Sequence, residues 1–186
     1  MDSKAEIRAI VKDKLSKLDE KSQVKMANKI RQNIFKLERY VNAKTVFSYV
    51  SKDREVDTIE LIINSLNMGK IVGVPLIKSN KELEIKKISD MNQLKIGKYG
   101  ILEPPQDLET INPKDLEILF IPGLAFGINY ERLGRGGGYF DIFLAKTSGI
   151  KVGLAYEFQL FNSLPSQEHD IKMDIIVTEK RIIRRV

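Results

Sequence analysis

The run Gly134-Arg135-Gly136-Gly137-Gly138 holds four of the chain's 12 glycines. Glycine permits backbone conformations and close approaches that a Cβ blocks, so such a run can turn successive N–H groups toward one anion. Tyr139-Phe140-Asp141-Ile142-Phe143-Leu144 reads as a helix starting where the glycines end, and a helix start adds free amides and partial positive charge. Arg135 inside the run and Arg132 just before it carry planar donors suited to phosphoryl oxygens. Phosphate binding is the chemistry these types and spacings point to. Neither familiar nucleotide fingerprint fits: G-x-G-x-x-G begun at Gly134 meets Tyr139 at its third glycine, and no lysine follows the glycines as a P-loop requires. A tight strand-to-helix turn with no ligand fits the same residues. Asp141 likewise suits the first turn of a helix without any metal.

Other charged residues are scattered. Lys4 and Arg8, four apart, fall along one edge of an apolar stripe, from which they can reach toward a site or simply cover the core edge with their stems. Glu55 follows a strand, and ligands of α/β sheets collect outside the carboxyl ends of strands. Asp141 and Asp170 are hard oxygen donors. The single His169 lies in a polar run and reads as an ordinary exposed histidine. With no cysteine, disulfides, thiolate metal sites and thiol nucleophiles are excluded.

Elements must position these groups. Ser3-Lys4-Ala5-Glu6 is a capping box, followed by Ile7, Ile10, Val11, Leu15 and Leu18 at helical spacing. A second helix is expected from about Asp19 to Tyr40, with Val24, Ala27, Ile34 and Leu37 inward. Residues 45–50 read as a buried strand. Asp57-Thr58-Ile59-Glu60 reads as another capping box, opening a helix that ends near Gly69. Residues 71–75 form a strand stopped by Pro75, and residues 83–88 alternate as a half-exposed or edge strand does. Residues 89–115 look like one long irregular connection. The apolar run 116–121 predicts a central strand, the helix after the glycines runs to about Lys146, and strands follow at 151–156 and 174–178. Alternating strands and helices predict a single-domain, three-layer α/β/α sandwich over residues 1–186 with a largely parallel (mixed) sheet.

Composition agrees. The 186 residues are 42% hydrophobic and 30% charged, as in globular proteins. The apolar stretch 118–128 is far short of the roughly 20 residues of a membrane span. The start Met1-Asp2-Ser3-Lys4 lacks a signal peptide's apolar core. The cytoplasm is the expected location. The net charge of +6 suits anionic ligands without choosing among them.

The string LGRGGGYFD, preceded by Ile121-Pro122-Gly123-Leu124-Ala125-Phe126, resembles the signature of the 5-formyltetrahydrofolate cyclo-ligase family. The resemblance extends to Lys4-Ala5-Glu6-Ile7-Arg8, Glu55-Val56-Asp57-Thr58, Gly69-Lys70 before the strand ending in Pro75, and Asp170-Ile171-Lys172-Met173-Asp174. Where the family reads Gly-Tyr-Tyr-Asp, this chain has Gly138-Tyr139-Phe140-Asp141, without the second hydroxyl.

The resemblance implies ATP contacts from Lys4, Ala5, Glu6, Ile7, Arg8, Arg132, Leu133, Gly134, Arg135, Gly136, Gly137, Gly138, Tyr139 and Phe140. It implies folate contacts from Val50, Glu55, Arg135, Gly136, Gly137, Gly138 and Tyr139, with Arg135 and Tyr139 catalytic. Asp141 and Asp170 would carry Mg2+. The implied reaction sends the formyl oxygen of 5-formyltetrahydrofolate onto the γ-phosphate of ATP, after which N10 closes the ring. The implied protein is a monomer acting on ATP and a possibly polyglutamylated folate, with no nucleic-acid or membrane partner. Two other readings stand beside it: an RNA- or nucleotide-binding module, from the basic tail Lys180-Arg181-Ile182-Ile183-Arg184-Arg185, and a phosphate-handling α/β enzyme that needs no ATP.

Overall fold

Ser3 opens the first helix as expected. Its hydroxyl accepts the Glu6 amide at 3.2 Å, and the Glu6 carboxylate accepts the Ser3 amide at 2.7 Å. The computed structural model describes residues 3–78, 81–97, 100–167 and 170–185. Helix α1 (Lys4–Ser16) buries Ile7, Val11 and Leu15, whereas Ile10 is exposed, so the apolar stripe is narrower than predicted. The expected long second helix is two: α2 (Glu20–Ile34) and α3 (Glu38–Asn42). Leu37 takes an extended conformation between them and is buried, as is Tyr40, while Val24 is exposed. The break redirects Leu37 and Tyr40 into the core.

The strands are β1 (Thr45–Ser48), β2 (Ile71–Ile77), β3 (Leu83–Ile88), β4 (Lys95–Ile96), β5 (Leu102–Glu103) and β6 (Ile118–Ile121). They continue as β7 (Ala125–Gly127), β8 (Arg132–Leu133), β9 (Ile150–Leu154), β10 (Leu160–Phe161), β11 (Ile175–Val177) and β12 (Ile182–Arg184). Helix α4 (Ile59–Asn67) follows β1 and α5 (Tyr139–Leu144) follows β8. Seven strands form the main sheet in the order β12-β11-β9-β6-β1-β2-β3. Its five inner strands are mutually parallel, and β3 and β12 close the edges antiparallel. The expected central strand, β6, is its middle member.

Alternation along the strands assigns the layers. Val46, Ile118, Phe120, Val152, Leu154 and Val177 face α1, α2 and α3. Phe47, Leu119, Ile121 and Ile176 face the other way, onto Phe143 and Leu144 of α5, Ile111 and Phe126. This is the predicted three-layer α/β/α arrangement, with the second layer thin: one short helix, the segment near Ile111 and the small sheet β10-β7-β8. That small sheet was not expected, because strands of two or three residues show no periodicity.

Two local expectations are corrected. Pro75 does not stop its strand, since β2 runs to Ile77. Pairing with β1 ends at Gly73, so Pro75 lies where β2 is hydrogen-bonded only to β3, a position that tolerates a missing N–H. The second capping box does not form. The Thr58 hydroxyl instead donates to Tyr49 O at 2.7 Å and accepts the Ser51 amide at 3.0 Å, which fastens the start of α4 to the loop leaving β1.

The edge strand β3 buries Lys86, whose ammonium bonds Glu84, Leu108 O and Thr110 as the 108–111 segment crosses its outer side. Hydrogen bonds from Lys86, Thr110 and Lys78 hold the Glu84 carboxyl down to about 2, from an ordinary 4.5. A carboxyl depressed in the folded state stabilises the fold above its unfolded pKa, and that stability is lost as pH falls through the folded value. Thermal melting followed from pH 5 to pH 2 is therefore expected to show Tm falling less in Glu84→Gln than in the wild type; parallel curves would contradict the assignment.

Candidate functional site

The chain leaves β1 toward β2 on one side, then returns to place β6 on the other and proceeds to β9 and β11. Such a reversal opens a crevice beyond the carboxyl ends of the two strands. Here the crevice is a narrow cleft, partly open to solvent, walled by Tyr49, Glu55 and Val56 after β1, Pro122 to Leu124 after β6, and Arg135.

Glu55 is fixed from three directions. Its carboxylate Oε2 accepts the Lys52 amide at 3.0 Å, and its carbonyl accepts the Tyr156 hydroxyl at 3.0 Å and Gln23 Nε2 at 3.3 Å. Tyr49 donates to the next carbonyl, Val56 O, at 2.7 Å. Burial pushes both phenols up, Tyr49 well above its ordinary value, so both remain donors at any physiological pH. Sequence reasoning missed these two tyrosines, and no spacing signal marks them. Val50, expected as a folate wall, is buried with Ile62, Val72, Val74 and Ile88.

The glycine run joins β8 to α5. Gly136 and Gly138 have φ of 103° and 76°, where only glycine is unstrained, and Gly138 caps α5 without any side chain. With six residues, α5 is too short for much of a macrodipole, so the run's donors are its turn amides. The small sheet aims the run. Gly123 and Gly153 lack the Cβ atoms that would come within 2.6 and 2.4 Å of the Phe126 ring, which lets Phe126 seat β7 against the main sheet. Phe126 pairs with Arg132 in β8, immediately before the run.

Cations from distant segments converge here. Arg8 Nε donates to Gly134 O at 3.0 Å, and Lys4 lies 3.0 Å from Asp170. Arg132 is almost fully buried; it donates to Pro122 O at 3.2 Å, pairs with Asp141 and stands over the Phe140 ring at 5.8 Å. Arg135 reaches across the cleft to Glu55 Oε1, with Nε at 3.2 Å and NH2 at 3.0 Å. Arg8 and Arg132 therefore adjoin the glycine run that carries Arg135, with Asp141 and Glu55 held by Arg132 and Arg135, whereas Lys4 and Asp170 form a pair of their own.

Other candidates sit elsewhere. Ile7 and Leu133 are core residues, and Ala5 and Glu6 are exposed on α1. Tyr139 borders Gly137, whose absent Cβ would meet its ring at 3.0 Å. Phe140 packs edge-on against Phe47 and Phe143. His169 lies outside the described residues. Asp141 and Asp170 are held by different cations, and no group of three or more candidate ligands gathers among the described residues. Two carboxylates each paired to its own cation do not make a closed protein cage for a metal ion.

Fold and site together define an α/β protein with an arginine-lined glycine turn at the switch point of a mostly parallel sheet. Residues 1–179 match the sequence pattern of the 5-formyltetrahydrofolate cyclo-ligase family, and the chain belongs to that family. It is 31% identical to the Haemophilus influenzae 5-formyltetrahydrofolate cyclo-ligase over 92% of this chain and 96% of that one. It is 33% identical to the Escherichia coli K12 enzyme of the same name, over 76% and 81% of the two chains. The structure of Aquifex aeolicus 5,10-methenyltetrahydrofolate synthetase superposes with a TM-score of 0.88 at 34% identity, covering 97% of this chain and 92% of that one.

Proposed function

We propose that the chain converts 5-formyltetrahydrofolate to 5,10-methenyltetrahydrofolate with ATP, releasing ADP and phosphate, at the cleft between the glycine run and Glu55. The observation that carries this reading is the junction of Arg135, on the anion cradle, with Glu55, a clamped carboxylate at the carboxyl end of β1. One half of the junction suits phosphate and the other suits the N–H donors of a pterin.

Phosphoryl transfer needs alignment and charge neutralisation more than covalent help. The turn amides of 134–138, with Arg135, Arg8 and Lys4, hold the triphosphate. Glu55 accepts hydrogen bonds from the pterin, and Tyr139 borders both ligands. The formyl oxygen bonds to the γ-phosphorus as the bond to ADP breaks. N10 then attacks the activated carbon, phosphate departs with the formyl oxygen, and N10 loses its proton. Asp141 and Asp170 would hold Mg2+, which neutralises phosphate charge when bound.

This reading treats residues 1–186 as one cytoplasmic, monomeric domain with no nucleic-acid or membrane partner. The main sheet, which draws strands from residue 45 to residue 184, supports the single domain; no helix of the described residues is long and apolar enough to cross a membrane. The basic tail is an edge strand, β12, with Arg181 paired to Glu157.

Protein incubated with 5-formyltetrahydrofolate, ATP and magnesium is expected to show ATP-dependent methenyl absorbance, and a flat trace would sink the proposal. Arg8→Ala is expected to raise the KM for ATP about tenfold or more, the scale of a lost charged hydrogen bond, with the KM for folate little changed. Equal losses for both substrates would contradict a nucleotide role for Arg8.

A further inference from the structure

Arg135 and Glu55 occupy each other. Nε and NH2 of Arg135 both reach Glu55 Oε1, and the remaining oxygen, Oε2, takes the Lys52 amide. The Glu55 side chain is 19% exposed, whereas that of Arg135 is 55% exposed on a turn with two left-handed glycines. The cleft these residues wall is about 10 Å³, room for little more than one water molecule, and this ion pair spans it.

We propose that the Arg135–Glu55 ion pair makes binding of the two substrates interdependent: the triphosphate draws Arg135 away, and the freed carboxylate then receives the pterin. The inference rests on the reading above, in which Arg135 meets phosphate and Glu55 meets the folate. A polyphosphate outcompetes one carboxylate for a guanidinium on an adaptable turn. Glu55 is then left with an unpaired oxygen in a cleft walled by Tyr49, Leu124 and Leu154, where lost partners are costly. A pterin ring offers adjacent N–H donors that restore the pairing. By linkage, folate must tighten nucleotide binding by the same factor as nucleotide tightens folate binding. Solvent screening at the exposed arginine limits that factor to about fivefold.

The test is calorimetric titration with a non-hydrolysable ATP analogue and with 5-formyltetrahydrofolate, each alone and in the presence of the other. The wild type is expected to bind each ligand about fivefold more tightly when the other is present. Glu55→Gln, which releases Arg135 without touching the cradle, is expected to bind the analogue alone about fivefold more tightly than the wild type does. Independent affinities in a wild-type protein that turns over would overturn the coupling and leave the reaction standing. Absent turnover would overturn the reading beneath it. Unchanged or weaker analogue binding by a natively folded Glu55→Gln also overturns the coupling; if that variant unfolds, the wild-type titrations decide.

Discussion

Arg135→Ala is expected to lower ATP-dependent turnover about a thousandfold or more, the scale of removing an arginine from a phosphoryl-transfer site, while far-ultraviolet circular dichroism stays native. The two halves of this result have separate causes. Arg135 is half exposed, and its hydrogen bonds are those to Glu55. A solvent-screened pair of this kind contributes about 1 kcal/mol or less to stability, so the fold persists. In the proposed reaction the same guanidinium meets charge that grows on the transferring phosphoryl group, where a positive donor acts most strongly. Arg135→Lys restores charge without the planar fork, and its activity is expected between the two. Near-normal turnover in Arg135→Ala would remove this residue from the mechanism.

Phe126→Ala is expected to cost about 3–5 kcal/mol, the range for deleting a buried aromatic ring, and to lower Tm by roughly 10 °C. The ring is fully buried, and it lies where a Cβ on Gly123 or Gly153 would collide with it. Those glycines cannot extend to fill the hole. Since β7 carries Phe126 directly opposite Arg132, the loosened small sheet is also expected to raise the KM for ATP. Phe126→Leu, which retains most of the volume, is expected to lose much less. Chemical denaturation measures these differences, and a loss below about 1 kcal/mol for the alanine variant would show that the ring does not seat the small sheet.

Residues whose structure depends on close neighbours were legible in advance. The Ser3–Glu6 capping box, the apolar run that became β6 and the layer order all follow from local spacing. Where tertiary partners compete for the same groups, local rules failed. The Thr58 hydroxyl bonds the loop after β1 in place of its own helix start. Leu37 and Tyr40 bury themselves by breaking a helix that periodicity would continue. Pro75 is tolerated because pairing with β1 has already ended, a fact of sheet register that the strand's own sequence does not contain.

The site divides in the same way. Gly136 and Gly138 show the left-handed turns that a glycine run implies, yet residue types alone left an empty turn as a full alternative. Arg8 meets Gly134 across 126 residues of sequence and Arg135 meets Glu55 across 80. Their grouping was expected only from the family resemblance. Tyr49 and Tyr156 act through hydroxyls on backbone carbonyls, contacts that any tyrosine can make and that no pattern announces.

The most direct test of the central claim follows one oxygen atom. Substrate labelled with heavy oxygen in its formyl group is turned over with ATP, and the inorganic phosphate is examined by mass spectrometry. If the formyl oxygen attacks the γ-phosphorus at this site, the label appears in the released phosphate. Methenyl product formed with unlabelled phosphate would contradict the account.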